Sequence, residues 1–147
     1  MSTIDFTVIE NQPIKGSYRI KLEDGNIGRA FSFKHPNEDL PAPLLSKIVG
    51  KLKGSCAVSD LNVYHFNFFP FGLNNKKYEG QGLGSKIYDA LNLEQSVDCP
   101  ALILARPTAP EGECAKENRI DRLLQKKGFE NVEINPDYSL LYKIITQ

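Results

Sequence analysis

Apolar and polar positions change period several times along the chain, and each change predicts an element. Thr7, Val8 and Ile9 read as a short strand that stops at Asn11, Gln12 and Pro13. From Ser17 to Leu22 polar and apolar residues alternate, Asp24-Gly25 follows, and residues 27–33 are strand-like again, so a hairpin is predicted around Asp-Gly. Pro36, Pro41 and Pro43 mark a loop, after which Leu44, Leu45, Ile48, Val49 and Leu52 share one face of a helix ended near Gly54. Residues 62–69 form an aromatic strand: alternation puts Tyr64, Phe66 and Phe68 on a core face and His65, Asn67 and Phe69 on the other. A polar loop over 71–77 leads to glycines and a helix over 85–93. The apolar run at 101–105 fits a buried parallel strand. Residues 117–127 carry Ile120, Leu123 and Leu124 on one helix face, with Lys126 and Lys127 in the last turn and Gly128 as the cap. Val132 to Ile134 and Leu140 to Ile145, around Asn135, Pro136 and Asp137, predict a final antiparallel pair. The whole reads as an α/β fold, one domain over residues 1–147, with a mixed central β-sheet flanked by helices.

The most informative chemistry lies between the aromatic strand and its helix. Glu79, Gly80, Gln81, Gly82, Leu83, Gly84 and Ser85 place three glycines at alternate positions before a helix start. Glycine lets a backbone approach a ligand closely, and a helix N-terminus adds unpaired N–H groups and partial positive charge, so a phosphate or pyrophosphate is the expected guest. Two common phosphate loops fail on spacing. A Walker loop needs Gly-Lys-Ser/Thr, but Ser85 precedes Lys86 and Ile87 follows it. A dinucleotide fingerprint counted from Gly80 needs glycine at Ser85, and counted from Gly82 needs it at Ile87.

The loop instead resembles that of the GNAT superfamily of N-acetyltransferases, written Gln/Arg-x-x-Gly-x-Gly/Ala. Leu123-Leu124-Gln125-Lys126-Lys127-Gly128-Phe129 is similar to the end of that superfamily's next helix, and the resemblance covers roughly residues 60–145. It implies a GNAT-like domain that binds acetyl-coenzyme A as cosubstrate, with the amides of residues 79–85 around its pyrophosphate. It also implies that a residue near Glu117 and Asn118 contacts the pantetheine arm; register favours the first and chemistry the second. The implied reaction is direct attack of a neutral amine, from a small molecule or a protein, on the thioester. His65 is the candidate to take the amine's proton.

Three departures from the pattern have consequences. Glu79 stands where relatives carry Gln or Arg, a carboxylate beside a pyrophosphate unless Lys76, Lys77 or Lys86 offsets it. Leu124 stands where relatives often place the Tyr that protonates the departing thiolate; Tyr88, Tyr138 and Tyr142 are substitutes by residue type. The two helices that relatives place between their first strands are missing, so the N-terminal part is shortened or rearranged. That leaves the acceptor cleft open, filled by residues 44–52, or closed by a second copy in a homodimer. The alternative reading is therefore a weak or inactive module of the same fold that acts through coenzyme A binding or protein contact.

Composition narrows the partners. Lys and Arg total 18 and so do Asp and Glu, so nothing global steers the chain to nucleic acid or an anionic membrane, and any anion site must be local. No apolar run approaches a membrane span, and the first residues do not resemble a signal peptide. The three cysteines, Cys56, Cys99 and Cys114, include no C-x-x-C pair, which suggests free thiols in a cytoplasmic setting. Cys114 as a nucleophile lacks a nearby His in sequence. Arg106, directly after the apolar strand, is a candidate for acceptor or phosphate contact. His35 and His65 are far apart in sequence, and closely spaced metal ligands are lacking, so no metal is expected.

Overall fold

The computed structural model describes residues 5–22, 25, 27–35, 39–69, 82–105, 119–136 and 138–146. Its strands are β1 (Phe6–Glu10), β2 (Ser17–Leu22), β3 (Ile27–His35), β4 (Asn62–Phe69), β5 (Ala101–Ala105), β6 (Glu130–Asn135) and β7 (Tyr138–Ile145). The helices are α1 (Ala42–Leu52), α2 (Leu83–Leu91), α3 (Leu93–Ser96) and α4 (Arg119–Lys126), with a 3-10 turn at Val58–Asp60. The strands hydrogen-bond in the order β1-β2-β3-β4-β5-β7-β6. β1 with β2, β2 with β3, β5 with β7 and β6 with β7 run antiparallel, whereas β4 and β5 run parallel. The fold is thus α/β around a mixed, mostly antiparallel seven-stranded sheet. None of the described helices is long and apolar enough to cross a membrane.

Close Cα neighbours divide the chain into two units, one from residues 1–33 with 67–96, the other from 34–66 with 97–147. In the first, β1, β2 and β3 form a meander whose middle residues alternate between buried and exposed. Ile20, Leu22 and Ala30 are buried, while Arg19, Lys21 and Arg29 between them are exposed. The loop before β2 is pinned by its backbone: Asn11 donates its N–H to the Ser17 carbonyl at 2.7 Å, and Ser32 donates to the Gly16 carbonyl at 2.7 Å. α2 buries Leu83, Ile87, Tyr88 and Leu91, the i, i+4, i+5, i+8 stripe of an amphipathic helix. Phe68 meets Tyr88 edge to face, ring centroids 6.1 Å apart.

In the second unit, α1 lays Leu44, Ile48 and Leu52 against Val63, Leu102, Leu104 and Leu140. Each Leu or Ile so buried contributes about 1.5–3 kcal/mol. α1 opens with proline in its first turn, where a missing N–H costs nothing, and closes on Lys53, which is left-handed at φ 50°. β5 is buried at all five positions, as a strand covered on both faces must be. α4 ends as the sequence predicts. Phe129 donates its N–H to the Leu124 carbonyl at 3.0 Å and Gly128 donates to Gln125 at 3.1 Å, with Gly128 at φ 99°. Those two bonds are a Schellman cap, which satisfies the last carbonyls of the helix.

Candidate functional site

Of the predicted phosphate loop, Gly82, Leu83, Gly84 and Ser85 are described; Glu79, Gly80 and Gln81 lie outside the described residues, as do Lys76, Lys77, Arg106, Cys114, Glu117 and Asn118. Gly82 is the residue immediately before α2 and is left-handed, with φ 71° and ψ 7°. Glycine takes that conformation without strain, and among other residues asparagine tolerates it best. A Cβ built on it would meet no atom within 4 Å, so the backbone there faces open space. No side chain caps the first turn of α2, and that turn holds no acidic residue. Lys86, one turn in, is exposed. A helix start with no side-chain cap among the described residues is suited to an anion. Leu83 is buried and Ser85 half-buried, so of this segment the backbone, rather than the Leu83 side chain, is what a ligand can meet.

The other predicted residue of note, His65, lies in the second unit, half-buried on the β4 face opposite the buried Tyr64 and Phe66. His35 of β3 comes against it, with ring centroids 4.2 Å apart and planes inclined at 54°. The sequence separates these imidazoles by 30 positions, and only the strand order brings them together. No group of three or more His, Cys, Asp or Glu among the described residues is placed to hold a metal ion.

Leu124, where the resemblance would place a proton donor, is 1% exposed and belongs to the core. Among the tyrosines considered as substitutes, Tyr88 is buried by the stripe of α2, and burial raises its pKa first, with Glu94 and Asp89 adding to the rise. Tyr142 is buried too; desolvation and then the Glu130 carboxylate push its pKa up to about 12. A phenol held so firmly protonated is a poor candidate for cycling its proton at neutral pH.

Tyr142 belongs to a polar cluster that sequence reading did not assemble. Its hydroxyl donates to Glu130 Oε2 at 2.8 Å, and Lys51 of α1 pairs with Glu130 Oε1. Lys143 donates Nζ to the Lys127 carbonyl at 2.6 Å, a cation at the C-terminus of α4 where the helix dipole favours it. These groups, with Ser55 and Gly128, border a cavity of about 300 Å³ within the second unit. Lys51, then Tyr142, hold the Glu130 carboxyl below its ordinary value. The sign of the linkage follows: the pair contributes stability above the unfolded carboxylate pKa and loses it as pH falls through the lower folded one. Glu130 and Lys51 are each about half exposed, at 48% and 49%, so water screens the pair heavily. Glu130→Gln is expected to cost less than about 1 kcal/mol at neutral pH. Urea titrations of parent and variant should converge as the pH is lowered; a gap that stays constant into acid would show that the charge is irrelevant.

Comparison with known proteins finds no matching family model, curated protein or solved structure. Functional inference therefore rests on the residues and their geometry.

Proposed function

We propose that the protein is an acyl-coenzyme A-binding N-acetyltransferase of the GNAT kind, moving an acetyl group to an amine by direct attack. The observation that carries this reading is the start of α2: a left-handed Gly82 facing open space, followed by an uncapped first turn free of acidic residues. Three further features support it. The order of elements around that turn is strand, glycine-rich sequence, helix, short helix, strand, and a helix followed by Gly-Phe. The strands on either side, β4 and β5, pair in parallel from Asn62 with Ala101 to Phe66 with Ala105, the crossover that such a helix requires. The described amides precede a half-buried Ser85 and an exposed Lys86, which suit a pyrophosphate.

In the proposed reaction the amine nitrogen attacks the thioester carbonyl carbon, the C–N bond forms, and the C–S bond breaks with the electron pair leaving on sulfur. The amine's proton passes to His65 or to water. Binding both substrates together supplies much of the rate, since it replaces a bimolecular encounter. With Leu124 in the core, the thiolate leaves unassisted or is protonated by solvent.

The rival, a module of the same fold that binds coenzyme A or a protein without turnover, is favoured by that same buried Leu124. One experiment separates the two. Acetyl-coenzyme A should raise the melting temperature by mass action, by the equivalent of about 2.7 kcal/mol at a hundredfold excess over its Kd, and ATP should not. A thiol-release assay over a panel of amines should then show slow turnover that rises with pH as the acceptor loses its proton. A thermal shift with no release selects the non-catalytic module. No shift at all removes the coenzyme A site.

A further inference from the structure

Among the described residues of the first unit, one sheet face is largely exposed, and its composition is unlike that of the chain as a whole. Residues alternate along β1, β2, β3 and the end of β4, so the side chains opposite the buried Ile20, Leu22, Ala30 and Phe68 share the other side. Three of them are cations, Arg19, Lys21 and Arg29, all exposed. Register sets Arg19 directly opposite Arg29, with Ile9 on the far side of Arg19, and places Lys21 opposite Thr7. No acidic residue falls on that side within these strands, since Glu10 is on the other. None of the three cations forms an ion pair among the described residues.

Like charges set opposite each other in an antiparallel pair destabilise it. Two arginines so placed, in a chain whose 18 basic and 18 acidic residues cancel, concentrate positive charge on one surface. Aromatic rings accompany the charge. Phe33 and Phe69 are 37% and 42% exposed, large apolar side chains that folding has left partly in water. Phe31, half-buried, lies 5.8 Å from Phe33 between ring centroids, so the two rings form a continuous apolar strip beside Arg29.

An anionic partner satisfies the cations, but a carboxylate-rich peptide makes no use of the exposed rings. A single strand of nucleic acid uses both: phosphates meet the arginines and lysine, and unpaired bases stack on the phenyl faces. A duplex hides its base faces and has no reason to prefer a flat sheet. We infer that the exposed face of β1, β2, β3 and the end of β4 is a binding platform for single-stranded nucleic acid, built from Arg19, Lys21, Arg29, Phe33 and Phe69. Zero net charge argues against nucleic acid only for the molecule as a whole; the charge here is local. Stacking on Phe is blind to base identity and the cations meet phosphates that both kinds of strand carry, so RNA and DNA strands are expected to bind alike.

The test is fluorescence anisotropy with labelled oligouridylate, oligothymidylate, a duplex and a polyglutamate peptide, at several salt concentrations. Both single strands should bind with Kd of about 10–100 μM at low salt. Log affinity should fall with log salt at a slope of about −2, from about 0.7 per phosphate neutralised by three cations. The double substitution Arg19→Gln with Arg29→Gln should flatten the slope to about −0.7. Phe33→Ala should weaken binding about tenfold and leave the slope unchanged, because stacking carries no counterion. All three positions are exposed, so circular dichroism should show the variants folded. Equal or tighter binding of polyglutamate would overturn the proposal in favour of an acidic protein partner. Single-strand affinity that survives both sets of substitutions, or that is undetectable at low salt, would also overturn it.

Discussion

Gly16→Ala is expected to destabilise the protein by at least about 3 kcal/mol, among the largest effects any single substitution here should have. Two costs coincide at this position. Gly16 is left-handed at φ 88°, which a side chain tolerates only with about 1–2 kcal/mol of strain. A Cβ built on it would also overlap the carbonyl oxygen of Ser32. The neighbour is backbone, not a flexible side chain, and it cannot step aside. The Ser32 N–H donates to the Gly16 carbonyl, and Ser32 sits in β3 beside the registered pair Ser17 with Phe31. Relieving the overlap would pull the loop off β3 and break that bond. Gly25→Ala is the control. Gly25 is left-handed too, at φ 87°, but an added Cβ would meet nothing within 4 Å. It should lose only the torsional part, about 1 kcal/mol. Urea midpoints followed by circular dichroism give both numbers, and similar losses at the two glycines would show that the close approach to Ser32 is not a constraint.

Gly16 also marks the boundary of what the sequence discloses. Local period is legible where one face is buried. β2 over Ser17–Leu22 and β4 over Asn62–Phe69 fall where alternation puts them, and Tyr64, Phe66 and Phe68 are indeed buried, although Val63 on the other side of β4 is buried too. Gly128 is legible as a cap because helix termination is a local matter of φ and two hydrogen bonds. The stretch read as one helix over 85–93 breaks at Asn92, which is left-handed at φ 51°, and α3 starts beyond it. Asparagine tolerates that region better than most residues, and the apolar stripe alone did not reveal the break. Long-range encounters are not legible at all. The approach of Gly16 to Ser32, the tilted contact of His35 with His65 and the joining of Lys51, Glu130 and Tyr142 all depend on strand order, which no local pattern encodes. The same holds for the basic face: Arg19 and Arg29 become neighbours only once the hairpin register is set. Leu124 is a different case. Its i, i+3, i+4 spacing with Ile120 and Leu123 already predicted a core-facing side chain, which agrees with its burial and argues against a proton donor at that position.

The second large effect is expected at Gly82, and it concerns binding rather than folding. Gly82→Val should abolish the rise in melting temperature that acetyl-coenzyme A is expected to give the parent. Valine would place two methyl groups in the open space before α2, where the proposed pyrophosphate meets the amides. It would also resist the left-handed conformation that aims those amides, since a β-branched residue at positive φ is an outlier. The second effect costs the apo protein about 1–2 kcal/mol, so loss of binding by this variant alone is open to a trivial explanation. Gly82→Asn removes it. Asparagine occupies the left-handed region readily, so the apo melting temperature should stay close to that of the parent. Its amide still stands in the space before the helix, and affinity should fall roughly tenfold, the equivalent of about 1.4 kcal/mol. Because the opposing charge is a phosphate anion, the parent's affinity should weaken as salt is raised, and the variant, which changes no charge, should weaken in parallel. A Gly82→Asn protein that keeps both its apo stability and the full affinity of the parent would place the coenzyme A pyrophosphate elsewhere, while leaving acetyl transfer itself open to the thiol-release assay.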